Sequence, residues 1–123
     1  MHLTLFGRPI TKKNHTQRTK TGHQIQSVAY IQYEKDCLWQ IPAKMRLSAS
    51  GRFNMKALYY MTIDYENTKA VVDLAGLIQA TCDILVKARV IADDNCRIIA
   101  GYDGSRVLYD KQNPRVEIEL EEI

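Results

Sequence analysis

Three aspartates bracket a compact apolar segment of the sequence and could together hold a divalent metal ion. Asp73 stands just before "LAGLIQATCDILVKAR", and Asp93 and Asp94 follow that segment. Each position also has an ordinary explanation, because an aspartate can cap a helix and an Asp-Asp-Asn turn is routine in loops. Carboxylates that meet in a fold, however, cannot all stay ionised without a counter-cation, and hard oxygen ligands are those that Mg²⁺ prefers.

For these carboxylates to share one ion, the chain must reverse after the apolar segment. A strand that begins near Cys96 and pairs beside a strand ending at Asp64 would return Asp94 to the residues leading into Asp73. A Mg²⁺ ion held there could activate water and stabilise charge on a phosphodiester. Asp83, inside the segment, could support the cluster from farther out or could simply face solvent.

Basic residues are concentrated in the first half of the chain, which suits a protein that binds a polyanion. Ten Lys or Arg and two acids give residues 1–56 a formal charge of +8, which leaves −5 for the rest of a chain whose total is +3. A solvated surface is the plainer explanation of such blocks, but a basic stretch without an acid is well suited to phosphate contact. The candidate DNA-binding residues are Arg8, Lys12, Lys13, Arg18, Lys20, Lys69 and Arg106.

Composition and length restrict the class of protein. A chain of 123 residues, 46% hydrophobic and 25% charged, predicts one globular domain over residues 1–123. It has no apolar run of membrane-spanning length and no signal-peptide layout, so we expect a cytoplasmic protein without a membrane partner. Cys37, Cys82 and Cys96 form no C-x-x-C pair, which argues against a disulfide framework or a zinc site and favours buried free thiols.

Periodicity predicts an α+β fold, a mixed β-sheet with two helices packed on one face. The expected order is a strand over residues 2–7, a basic loop or loose hairpin turning near Gly22, a helix, a strand over 56–65, a second helix from Leu74 to Arg89, and two closing strands. Ser27 should cap the first helix and Pro42 should end it. Its expected buried face consists of Val28, Ile31, Leu38 and Ile41. The closing strands are expected from Cys96, followed by a turn at "YDGS" and a loop, and at Val116, Ile118 and Leu120.

The central motif resembles that of the RusA family of Holliday junction resolvases, which are common in phages and prophages. The family pattern D-x-D-N-L, then D-x-L, then K-A-x-x-x-x-D-D is matched here by "DLAGL", "DIL" and "KARVIADD". The opening "TLFGRPITKKNHTQRTKTGHQIQSVAYIQYE" is similar to the family's strand, basic loop and tyrosine-bearing helix, and "NPRVEIELEE" resembles its closing strand.

The resemblance implies a homodimer that binds branched DNA and, with Mg²⁺, nicks opposed strands in recombination and repair. Asp73 matches the first catalytic aspartate of the family motif and Asp94 the later one. The motif's second aspartate and its asparagine are replaced by Ala75 and Gly76, and a family lysine by Gln79. Asp93, Asp64, Glu66 or water could fill the place of the missing ligand.

Three functions therefore remain open at the level of sequence. The first is a Mg²⁺-dependent, structure-selective endodeoxyribonuclease with Asp73 and Asp94 as metal ligands. The second is a RusA-like module that binds branched DNA without cutting it, because Ala75 removes one ligand. The third is a small interaction domain whose charges are incidental.

Overall fold

The computed structural model describes residues 1–12, 16–18 and 24–123. Within those residues the element order is β1, β2, β3, α1, β4, α2, β5, β6, β7. The helices are α1 (Val28–Gln40) and α2 (Leu74–Lys87). The strands are β1 (His2–Phe6), β2 (Thr16–Arg18), β3 (Gln24–Gln26), β4 (Phe53–Met61), β5 (Ile99–Gly101), β6 (Arg106–Tyr109) and β7 (Arg115–Glu122).

The main sheet is mixed, as predicted. Strand β7 lies between β1 and β4 and is antiparallel to both. On the other edge of β4, β5 pairs in parallel with its start and β6 pairs in parallel with its end. The two strands therefore occupy successive lengths of one edge, and the turn between them does not form a hairpin. In the turn, Gly104 has a φ of 87°.

The core lies on one face of this sheet. Alternate residues of β4 are buried, among them Tyr59, and the same holds for β7. The Tyr59 hydroxyl lies 2.7 Å from Thr81 Oγ1, which places α2 over that face. Helix α1 joins the same core through Tyr30 and Cys37, and the prediction of an α+β sheet covered by two helices is confirmed.

Helix α1 begins and ends where the sequence indicates, but its buried face differs from the predicted one. Ser27 Oγ accepts a hydrogen bond from Tyr30 N, which confirms the cap, and the helix ends before Pro42. Of the four predicted residues, Ile41 is buried and Leu38 is half-buried against the core, but Val28 and Ile31 are 76% and 54% exposed. Tyr30, Tyr33 and Cys37 are buried in their place. The tyrosines follow the same helical spacing as Val28 and Ile31 but have more apolar area to bury, so they occupy the core positions.

Helix α2 is two residues shorter than predicted, because Arg89 adopts a left-handed backbone with φ 62°. The helix ends with a bond from Arg89 N to Val86 O (3.0 Å) and one from Val90 N to Leu85 O (2.9 Å). This pair of bonds is the Schellman arrangement, which satisfies carbonyls of the last turn. The following residues, 90 and 91, are buried, so the chain turns sharply into the core.

Several smaller predictions can be compared with the described residues. Strands β2 and β3 pair antiparallel, which confirms a hairpin in the basic segment, whereas its expected turn at Gly22 lies outside the described residues. Strand β6 was predicted as loop, and β5 begins at Ile99 rather than at Cys96. Cys37 and Cys82 are buried free thiols, but the burial predicted for Cys96 is wrong because it is exposed. No helix in the described part of the chain is long and apolar enough to span a bilayer.

Candidate active site

Asp73 occupies the N-cap position of α2, but its side chain does not cap the helix. Its backbone carbonyl accepts the first helical bond from Leu77 N at 3.1 Å. Within residues 1–12, 16–18 and 24–123, its carboxylate accepts no capping hydrogen bond, and the residue is exposed. The capping explanation of this aspartate therefore does not hold for its side chain. A solvent-facing carboxylate at the positive end of a helix remains available to bind another group.

Asp94 returns to α2 after the helix ends, but its observed neighbour is in the second turn. Gln79 Nε2 lies 3.5 Å from Asp94 Oδ2 and 3.0 Å from Asp83 Oδ1. Residue 79 is about 9 Å along the helix axis from residue 73. The chain therefore does return to α2, but the residue that it brings to Asp94 is Gln79, which sequence reasoning missed, and not one of the residues leading into Asp73.

Asp93 holds the turn that presents Asp94. Its Oδ1 accepts a hydrogen bond from the Asp94 backbone N–H at 2.7 Å, and its Oδ2 accepts one from Asn95 Nδ2 at 3.0 Å. The backbone hydrogen bond from Asp94 and the one from Asn95 hold the pKa of the Asp93 carboxyl below its ordinary value, because both favour the charged form. Both oxygens of this exposed side chain thus serve the local loop.

Asp64 has a similar local role at the other end of the site. It caps the short 3-10 turn Tyr65–Asn67, where its Oδ1 accepts from Glu66 N at 3.2 Å and its Oδ2 from Asn67 Nδ2 at 2.7 Å. Glu66 is exposed in that turn. In the part of the chain that the structure describes, no three His, Cys, Asp or Glu side chains are close enough together to hold a metal ion.

The N-terminal segment packs on the first turn of α2. Thr11 is 3% exposed, and a methyl group added at Gly76 would lie 3.4 Å from Thr11 Cγ2, which is ordinary contact. Arg8 and Val72 help to line a groove of about 240 Å³ between this segment and the residues that lead into Asp73. A basic residue is thereby placed at the approach to the candidate site.

Lys12 extends this packing along the helix. Its Nζ lies 2.8 Å from Asp83 Oδ2 and 5.5 Å from the centre of the Tyr30 ring. Tyr30 is 1% exposed, and burial together with the Glu34 carboxylate raises its pKa well above the ordinary value. The contact of Asp83 with Gln79 was accessible from sequence, since residues four apart share a helix face, whereas the contact with Lys12 required the fold.

A model of one protein family, described as endodeoxyribonuclease RusA, matches residues 7–121. The chain belongs to the RusA family. No individual curated protein matches the chain. Membership implies an endonuclease that acts on Holliday junctions, and resolvases of this family are generally metal-dependent.

The RusA-family motif falls on elements that suit it. Asp73 and Ala75 lie at the beginning of α2, and Ala75 is exposed on the ridge that continues through Gln79 to Asp83, at successive steps of four residues. An aspartate at position 75, as in the family motif, would therefore project from the same side of the helix as Gln79, which contacts Asp94.

Three of the predicted phosphate-binding residues outside the Lys12 network are exposed: Arg8, Lys69 and Arg106. Lys69 lies in the connection that precedes Asp73, and Arg106 begins β6. Arg18 is in β2, on the hairpin that follows the N-terminal segment. Lys13 and Lys20 lie outside the described residues. Their part in DNA binding is still a prediction for this RusA-family chain.

Proposed function

We propose that this RusA-family chain is a Mg²⁺-dependent, structure-selective endodeoxyribonuclease that resolves Holliday junctions in recombination and repair by paired nicking. The observation that carries the proposal is the exposed carboxylate of Asp73, which stands at the beginning of α2 without capping it. A carboxylate kept out of local hydrogen bonds is unusual at this position, where capping stabilises a helix by about 1 kcal/mol. Ligand binding gives it a reason to be there.

In this proposal Asp73 and Asp94 are the catalytic residues and would hold Mg²⁺. Their carboxylate oxygens are the hard ligands that this ion takes, and it commonly keeps several waters beside one or two carboxylates. When bound, the ion would supply an activated water and stabilise negative charge on the scissile phosphate. Asp93, predicted as a further ligand, supports the site by holding the Asp94 turn, and Glu66 is an exposed candidate for the vacant third position.

DNA binding is assigned in this proposal to the basic residues that the sequence predicts. Arg8, Lys12, Lys69 and Arg106 would contact phosphates, as would Lys13, Arg18 and Lys20 from the basic segment. Such contacts position DNA without reading its sequence, and they weaken as salt increases. A homodimer is the simplest partner for a junction with two-fold symmetry, because each subunit then offers one active site to one of the opposed strands.

The test is nicking of a synthetic four-way junction by the wild-type protein and by Asp94→Asn. The substitution removes ligand charge but leaves the basic residues, so we expect nicking to fall at least about 100-fold while junction affinity is retained. Asp36→Asn is the matched control, since Asp36 lies on the exposed surface of α1, where it accepts a hydrogen bond from Gln32. Normal cutting by Asp94→Asn would reject the site assignment.

A second candidate, a junction-binding module that does not cut, is favoured by two observations. Ala75 stands where the family motif has its second aspartate, and the described residues contain no group of three ligands. This candidate predicts salt-sensitive junction binding, no nicking with any divalent metal, and no calorimetric heat on titration with Mg²⁺. Metal-dependent nicking by the wild-type protein would eliminate it.

A further inference from the structure

A chain of polar contacts connects the N-terminal basic segment to Asp94. Lys12 Nζ contacts Asp83 Oδ2 at 2.8 Å, and Asp83 Oδ1 accepts a hydrogen bond from Gln79 Nε2 at 3.0 Å. The same Gln79 nitrogen lies 3.5 Å from Asp94 Oδ2. The carboxylates of Asp83 and Asp94 are thus within two hydrogen-bond lengths of each other, and the Lys12 ammonium is one contact farther.

Packing holds the Lys12 end of this network in place. Thr11, the neighbour of Lys12, is buried against the first turn of α2. The Lys12 ammonium lies over the ring of Tyr30, whose hydroxyl is 3.4 Å from Glu34 Oε2. Because the preceding residue is buried and the ammonium is held between a ring and a carboxylate, less side-chain entropy is lost when the ammonium meets a phosphate.

Both side chains of the Lys12–Asp83 pair are partly exposed. The side chains of Lys12 and Asp83 are 34% and 32% exposed. An exposed pair of this kind contributes little to stability by itself. Because part of the lysine side chain faces solvent, a DNA phosphate could approach it without complete release from Asp83. Orientation, rather than stability, is therefore the effect to look for.

We propose that Asp83 is a positioning residue that tethers Lys12 near Asp94, so that the lysine ammonium contacts the phosphodiester that lies at the Asp94 site. The inference rests on the proposed nuclease function and deepens it, since it assigns how the basic segment and the acidic site are aligned. Asp83 itself does not touch the phosphate in this scheme. It acts through Lys12, and Gln79 keeps its other oxygen in place.

The test is a double-mutant cycle on single-turnover nicking of a four-way junction, with Asp83→Asn, Lys12→Ala and the double variant. If Asp83 acts through Lys12, each single variant slows nicking about tenfold and the double variant is no slower than Lys12→Ala. Lys12→Ala should also reduce the salt slope of junction binding by roughly 0.9, one phosphate contact. Asp83→Asn should leave that slope unchanged, because an untethered lysine still meets phosphates.

Two variants separate tethering from a general effect on charge or folding. Lys12→Arg keeps a cation that can pair with Asp83, so it should nick faster than Lys12→Ala. Glu121→Gln removes the same charge as Asp83→Asn from an exposed site on β7, and it should nick like the wild type. The proposal would be overturned if the losses in nicking rate of the two single variants multiplied in the double variant. It would also be overturned if Asp83→Asn lowered the salt slope of junction binding as much as Lys12→Ala does.

Trypsin cleavage after Lys12, without DNA, tests the tether independently of catalysis. Asp83→Asn should be cut at Lys12 about fivefold faster than wild type or Glu121→Gln, since releasing the side chain by about 1 kcal/mol raises the open population by that factor. If trypsin cuts Asp83→Asn faster and the wild type does not nick junctions, the tether is supported and the proposed nuclease function is rejected. An unchanged rate overturns the tether whether or not the wild type nicks.

Discussion

Position 75 is where a single side chain of this chain departs from the charge of the RusA-family motif. Ala75 is exposed at the beginning of α2, one turn before Gln79 on the same ridge. Residue 79 contacts Asp94. A carboxylate at 75 would project from the same ridge of the helix, one turn nearer to Asp73.

Restoring that carboxylate is a test by gain of function. We expect Ala75→Asp to increase Mg²⁺-dependent nicking about tenfold, because an added ligand raises metal affinity. It should also stabilise the fold by roughly 0.3–1 kcal/mol, since an acid in the first turn interacts favourably with the helix dipole. Junction nicking at varied Mg²⁺ and urea denaturation provide the two measurements. Ala75→Asn has the same shape without the charge, and an equal gain from it would contradict the ligand explanation.

At the residue scale, sequence reasoning found side chains but not their partners. Asp73 and Asp94 were identifiable because their types and their places beside an apolar helix are visible in the chain. The contacts of Asp94 with Gln79 and of Asp83 with Lys12 were not identifiable, because the second joins residues 71 positions apart and depends on how the N-terminal segment packs. The exposure of Cys96 was missed for the same reason.

Among the elements, α2 begins at the candidate site, and the backbone at its C-terminal end is strained. Arg89 closes the Schellman arrangement in a left-handed conformation, in which an L side chain crowds the following carbonyl. Glycine avoids that contact and is the usual residue at this position. The buried neighbours Leu85 and Val90 nevertheless hold the turn.

Arg89→Gly should therefore stabilise the protein. We expect the free energy of unfolding to rise by about 0.5–1 kcal/mol, because the relief of strain exceeds the added flexibility of the unfolded chain. Urea denaturation at constant slope measures the change. Arg89→Ala removes the same side chain but keeps a Cβ, so it should show no such gain. Equal stabilisation by both variants would trace the effect to the charge instead.

Helices and strands were predictable where the hydrophobic periodicity and the length of a segment agreed. They were less predictable where two sets of apolar residues shared the same periodicity. Helix α2 and strands β4 and β7 follow from strong periodicity. In α1, two apolar sets share the helical spacing, and only packing against α2 and β1 selects the tyrosine face. Strand β6 has four residues and no fully buried side chain, so its alternation is too weak to read without β4 beside it.

Two cavities at opposite ends of β4 differ in the charge of their linings. The groove lined by Arg8 lies beside Met61, where the strand finishes. A larger cavity of about 600 Å³ lies beside Asn54, near its start, and its lining combines Lys56 with four acids: Asp103, Glu119, Glu121 and Glu122. A polyanion should therefore approach the groove more readily than the acidic cavity.

Buried hydroxyl and thiol groups make the fold sensitive to alkali. Burial raises the pKa of Cys37 and Cys82 to about 11, and it raises the pKa of Tyr59 well above its ordinary value. Groups with a raised folded pKa contribute stability below their unfolded pKa and lose it as pH rises towards the folded one. We therefore expect the free energy of unfolding to fall above about pH 9.

Urea denaturation between pH 7 and 11 measures this loss, and two tyrosine variants localise it. Tyr59→Phe should lose stability less steeply above about pH 10, since one buried ionisation is removed. Tyr109→Phe is the control, because Tyr109 is 50% exposed on β6. A stability profile that stays flat up to pH 11, or equal slopes in both variants, would contradict the assignment.

The uneven exposure of the three cysteines gives the protein a built-in attachment point. Thiolates are the reactive form, so Cys37 and Cys82, buried and with raised pKa values, should resist maleimides, whereas Cys96 is accessible. Cys96 follows Asp94 by two residues. One fluorophore can thus be joined to the unaltered chain next to its acidic turn, where its emission would report directly on the docking of a branched substrate.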